Sequence, residues 1–156
     1  MRRVLVLVLP VVLLVLGACG APPPYEPWND DMLGVVNAHR AAVGVPPLAL
    51  CGPLIAAAQG HSDFQAATGR TSHTGSGGST MRQRVESAGY GGWSGLGENV
   101  AAHYPDIGSV VTGWLSSEGH RANLLSPNFT HVGFGLGRGA DGTPYWTQDF
   151  GRDGAC

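Results

Sequence analysis

Lysine is absent from these 156 residues, and charged side chains make up only 13% of the chain, about half the share usual in a globular protein. Nine arginines are set against eleven acids. No basic stripe gathers them, which excludes the electrostatic footprint of a nucleic-acid binder. Beyond the first residues there is no apolar run long enough for a transmembrane helix. Both the H-E-x-x-H pattern of zinc proteases and the G-x-S-x-G elbow of serine hydrolases are missing. Ser72 beside His73 is therefore not read as a nucleophile.

What is present begins with a leader. Arg2 and Arg3 precede Val4 to Leu16, an apolar run broken only by Pro10 and shorter than the ~20 residues a membrane-spanning helix needs. The run ends in Leu16-Gly17-Ala18-Cys19, which resembles the lipobox of bacterial lipoproteins. That resemblance implies a signal peptide over 1–18, cleavage before Cys19 and lipid on that cysteine; the alternative is an ordinary secretory signal with an incidental cysteine. The following segment, with Pro22, Pro23, Pro24 and Pro27, reads as a polyproline tether over 19–28 reaching roughly 25 Å. The expected location is the bacterial cell envelope, outside a membrane to which the lipid anchors the chain. Two cysteines then remain, Cys51 and Cys156. In an oxidising compartment they have one possible pairing, contributing about 4–5 kcal/mol by chain entropy; the alternative is two free thiols.

Residues 29–156 read as one domain with a modest core. Apolar positions Met32, Val35, Val36 and Val43 predict a helix over 31–43 behind Asn29-Asp30-Asp31. Pro53 opens a second helix with Leu54, Ala57, Ala58, His61 and Phe64 on one face, ended by Gly69. After a Gly/Ser/Thr loop carrying His73, Ser79 is expected to cap a third helix, and Asp106 a fourth that includes Val110, Val111 and Trp114. Glu118 to Leu125 supplies a further turn or two. The period then changes: Val132, Phe134 and Leu136 alternate with glycines, and a Gly-rich turn leads to Tyr145–Phe150, the pattern of a β-hairpin. Helices first and strands late make the class α+β.

Four blocks stand out: Ser72-His73-Thr74, Gly97-Glu98-Asn99-Val100, Trp114 to Asn123, and Tyr145 to Phe150. In this order, over about Asp30 to Phe150, they resemble the CAP superfamily (cysteine-rich secretory proteins, antigen 5, pathogenesis-related 1), in its compact bacterial form, the SCP domain. The resemblance implies a three-layer α-β-α sandwich around a small antiparallel sheet, with an open cleft. It also implies that the cleft gathers His73, Glu98 and His120. Two imidazoles and a carboxylate suit a divalent ion such as zinc, held by His73 and His120 with Glu98 as a third ligand or as the group that orients a ring. No cofactor is required. The family's second glutamate falls on Ser117 here. Glu118, one residue on, is a further candidate, either swinging into the cleft or capping the helix in solvent, since one residue turns the side chain by about 100°.

Other residues are read by position. His61 packs in the core or reaches the cleft. His39, His103 and His131 are expected on the surface. Asn37 and Arg40 are expected to bond to neighbouring loops, and Asn99 to shape the local backbone. Trp93, Trp114 and Trp146 belong to the core or to an apolar groove. Three functions compete: a monomeric binding module for a lipid or envelope glycan, a metal-assisted peptide or ester hydrolase using His73, Glu98 and His120, and a structural protein of the envelope.

Overall fold

The structure, a computed structural model, describes residues 25–156. The leader, Cys19 and most of the tether lie outside the described residues. Pro27 stands at the N-cap of the first helix, α1 (Trp28–Ala42). It starts three residues before the apolar pattern indicates, and Trp28 there meets the ring of Trp146 edge-on at 5.9 Å. A two-residue strand, β1 (Ala49–Leu50), leads into α2 (Gly52–Thr68), with Pro53 in its first turn and Gly69 closing it at a left-handed φ of 65°. A short 3₁₀ turn precedes α3 (Met81–Ser87). Its cap is Thr80, one residue past the expected Ser79, because Thr80 and Gln83 satisfy each other's backbone N–H in a capping box. Next come β2 (Gly95–Ala102), α4 (Ile107–Ser116) capped by Asp106, α5 (Glu118–Leu124), β3 (His131–Arg138) and β4 (Pro144–Arg152).

The strands form one sheet in the order β1-β3-β4-β2. Its main part is the expected small antiparallel sheet of β2, β4 and β3, and the two-residue β1 adds to it in parallel with β3, which makes the sheet mixed. The reason is local. The Asn37 amide accepts from the Leu48 N–H at 2.8 Å and donates to its carbonyl at 3.0 Å, which presents Ala49–Leu50 to the edge of β3.

Two sets of side chains leave the sheet in opposite directions, as strand alternation requires. On one face Val132, Phe134, Trp146 and Phe150 pack with Met32 and Val36 of α1, Val110 and Trp114 of α4 and Leu124 of α5. On the other face α2 crosses β3 and β4, with α3 packed against it. This gives an α+β sandwich with the sheet between two helical layers.

Cys51 and Cys156 form a disulfide across 105 residues. It draws the C-terminal tail over Tyr90, whose hydroxyl accepts from the Gly154 N–H at 3.2 Å, beside a cluster of Leu54, Ala57 and Val85. Replacing both cysteines with serine is expected to lower unfolding stability by about 3–4 kcal/mol, read by urea denaturation; a loss below about 1 kcal/mol would show that the tail holds without the bond. Among the described residues no helix is long and apolar enough to cross a membrane.

Candidate functional site

The site forms at the β2 edge of the sheet. The paired strands set Glu98 opposite Asp149, and Asn99 opposite Gln148, so Glu98 turns toward the α2 layer and Asn99 toward α5. Asn99 then ties α5 down: its amide donates to the His120 carbonyl and to Gln148 Oε1, both at 3.1 Å. Asn123 answers from α5, donating to Asn99 Oδ1 at 3.0 Å and to the Glu98 carbonyl at 3.2 Å. Asn99 thus holds backbone, as its block suggests.

Glu98 is the hub. Its side chain is only 3% exposed, and both oxygens are engaged. The His73 Nδ1–H donates to Oε1 at 2.7 Å, and Arg84 of α3 pairs with Oε2. Arg84 also donates to the carbonyls of His73 and Ser79 at 3.1 and 3.0 Å, so one guanidinium fixes both the carboxylate and the loop that carries the histidine. With Nδ1 bonded to Glu98, the His73 ring, 61% exposed, turns its Nε2 away from the carboxylate.

His61 lies on the floor, buried in the interior as well as close to Glu98. It is fully buried on α2, its Nε2–H donates to the Ser72 carbonyl at 2.7 Å, and the same nitrogen is 4.0 Å from Glu98 Oε2. Burial pushes its basicity down, with the Arg84 charge adding to the effect. The proton on Nε2 faces the Ser72 carbonyl, while Nδ1 is buried and without a partner among the described residues.

His120, half-buried on α5, is likewise less basic than a free imidazole, through burial and then the nearby His73 charge. The structure therefore brings His73 into contact with Glu98, while the contact it shows for the His120 segment is the His120 carbonyl bonded to Asn99. Glu118 does not join them. It stands exposed in the first turn of α5, because Ser117 breaks the helix after α4 and α5 starts afresh.

Among the described residues no group of three or more His, Cys, Asp or Glu side chains is arranged to hold a metal. Arg84 and His73 each donate to one oxygen of Glu98, so the carboxylate orients the His73 ring from behind.

Sequence reasoning missed Arg84 and Asp149. Arg84 sits in an ordinary amphipathic helix with nothing to mark it. Asp149 lies inside the Tyr145–Phe150 block, where its strand register with Glu98 was the missing information. His131 was expected on the surface but is half-buried, accepting at Nδ1 from the Tyr90 hydroxyl at 3.0 Å. His39 and His103 are exposed. Trp114 and Trp146 are core residues.

Beside the site, a cavity of about 320 Å³ opens between α2 and α3, with Ala57, Phe64 and Ala88 among its walls and His61 and Arg84 at its polar end. A smaller one of about 220 Å³, lined by Arg70, Ser72 and Thr74, adjoins it across Phe64.

A mixed sheet between two helical layers, with a His–Glu cluster at one edge, defines an SCP-type domain. The model of the cysteine-rich secretory protein family (CAP) matches residues 33–150, and the chain belongs to that family. It is 34% identical over 122 residues to the membrane protein YlbC of Bacillus subtilis strain 168, and 30% identical over 130 residues to YkwD of the same organism. Those stretches cover 78% and 83% of this chain but 34% and 49% of the two relatives, so the chain spans between a third and a half of their lengths. Among solved structures it resembles an extracellular SCP-domain protein of Bacillus anthracis str. Ames, with a TM-score of 0.68 and 31% identity, covering 83% of this chain and 44% of that one. An outer surface protein of Borrelia burgdorferi shares the fold at a TM-score of 0.72 and 18% identity, covering 80% of this chain and 91% of that one.

Proposed function

We propose that this is a cell-envelope CAP protein, anchored through lipid on Cys19, whose domain binds a lipid or other envelope ligand in the cavity between α2 and α3. The observation that carries the reading is the cavity itself. Its walls are mainly apolar, its volume falls in the range of small-molecule sites, and it ends at two side chains of the buried Glu98 network. His61 and Arg84 supply polar groups at that end. An apolar tail with a polar head suits this lining. The membrane, extracellular and outer-surface designations of the similar proteins support an envelope location.

Gly60 provides the test. It lines the cavity on an exposed turn of α2, and a Cβ there would meet nothing within 4 Å. Gly60→Leu is expected to leave the melting temperature unchanged or higher, since glycine is a poor helix former. It is also expected to weaken binding of envelope lipid extract at least about tenfold, roughly 1.4 kcal/mol, in isothermal titration. Equal heats from Gly60→Leu and the unaltered protein, or no heat from either with lipid extract and peptidoglycan fragments alike, would sink the reading.

The hydrolase alternative draws on the His73–Glu98 pair, which orients an imidazole with one nitrogen directed away from the acid. Zinc would be held by His73 and His120 and would supply Lewis-acid activation of water. Peptidase or esterase activity that survived both His73→Ala and His120→Ala would not come from this site.

A further inference from the structure

Glu98 and Asp149 are direct partners across the antiparallel β2–β4 ladder, a placement that sets two side chains on one face about 4.5–5.5 Å apart at Cβ. Asp149 is fully buried, and neither of its oxygens has a donor among the described residues. An ionised carboxylate in that position would be severely penalised. The charged groups acting on it are Glu98 from β2 and Arg84 from α3, with His61 of α2 and His73 placed around Glu98. Arg84 is already committed to Glu98 and to the carbonyls of His73 and Ser79.

Two neighbouring carboxylates repel each other, and they bond only through a proton between them. Its place follows from the partners. Both Glu98 oxygens already accept hydrogen bonds, from His73 and Arg84; Asp149 receives none and is wholly out of water.

We propose that Asp149 supplies the second carboxyl of this site and holds it as a neutral acid that donates its proton to Glu98, keeping that carboxylate turned toward His73 and Arg84. Asp149 is a positioning residue: it acts on His73 through Glu98. Glu118, the other acid near the cleft, is in solvent. The second carboxyl of the site therefore comes from the strand paired with β2, as a proton donor beneath the cleft. Burial, then the Glu98 charge, raise the Asp149 carboxyl well above the usual range, opposed only by Arg84. The inference is independent of what the cavity between α2 and α3 takes.

The pH consequence has a definite sign. The unfolded chain ionises this aspartate above about pH 4, while the folded chain keeps it protonated. The stability it confers is full below that value and is lost as pH rises toward the folded value. On the full chain, infrared spectra at neutral pH are expected to show the carbonyl stretch of a protonated carboxylic acid, absent in Asp149→Asn and displaced in Glu98→Gln. In melting curves from about pH 4 to about pH 8, Asp149→Asn is expected to gain steadily on the unaltered protein. No protonated-carboxyl band at neutral pH, a band retained in Asp149→Asn, or a pH-independent gap between the melting curves would each overturn the proposal. If Asp149→Asn does not fold, the unaltered chain still decides: its band must shift in Glu98→Gln and vanish only at alkaline pH.

Discussion

Arg40→Ala is expected to destabilise the protein by about 4 kcal/mol, the largest loss from any single side-chain truncation considered. The Arg40 guanidinium is fully buried at the end of α1, where desolvation draws it below its ordinary basicity. It donates to four main-chain carbonyls: Pro46 and Leu124 at 2.8 Å, Ser126 at 3.0 Å and Phe129 at 3.2 Å. Each carbonyl left unpaired in the interior costs about 1–3 kcal/mol, and the cavity adds to that. Lysine offers three donors on one atom rather than a planar fork, so Arg40→Lys should recover less than half. Because Leu124 and Ser126 close α5, the damage should travel to His120. Amide exchange along residues 118–126 is expected to quicken in Arg40→Ala. Urea denaturation showing a loss under about 1 kcal/mol would mean that water replaces the guanidinium at little cost.

Gly135→Ala is expected to cost about 3 kcal/mol, at the upper end of overpacking effects, for the addition of one methyl group. Gly133, Gly135 and Gly137 face α2, and a Cβ on each would overlap the main-chain carbonyls of Leu54, Ala58 and Ser62 in turn; at Gly135 it would also stand 2.5 Å from the Gln59 nitrogen. These atoms belong to helix backbone, so no side chain can swing aside. The match is geometric: four residues of helix advance about 6.0 Å and two residues of strand about 6.6 Å. A glycine in every second strand position therefore meets each helical turn, and α2 rests directly on the sheet. That closeness brings His61 to Glu98 and Ser62 to Thr147, whose hydroxyls bond at 2.9 Å. A melting temperature for Gly135→Ala within a degree or two of the unaltered protein would refute this account of the glycine row.

Much of the molecule was readable along the chain. The helix phases were visible because apolar residues recur at helical spacing between Pro, Asp and Gly stops, which act within a few residues. The late hairpin was visible because the period changes to two at Val132. His73 and Glu98 were legible through family blocks, and the structure joins them at 2.7 Å. Thr80 displaced Ser79 as the cap of α3 because only its spacing to Gln83 closes both bonds.

By itself, the sequence determined the α+β class, the order of the helices and the blocks that hold the polar cluster, since each depends on neighbours a turn or a strand-pair away. Tertiary structure alone decided that β1 runs parallel to β3, that Arg84 and His61 reach Glu98, that Glu118 stays in solvent, and that Asp149 lies opposite Glu98. Those outcomes depend on strand register and helix-to-sheet distance, where a shift of one residue reverses which side chains meet.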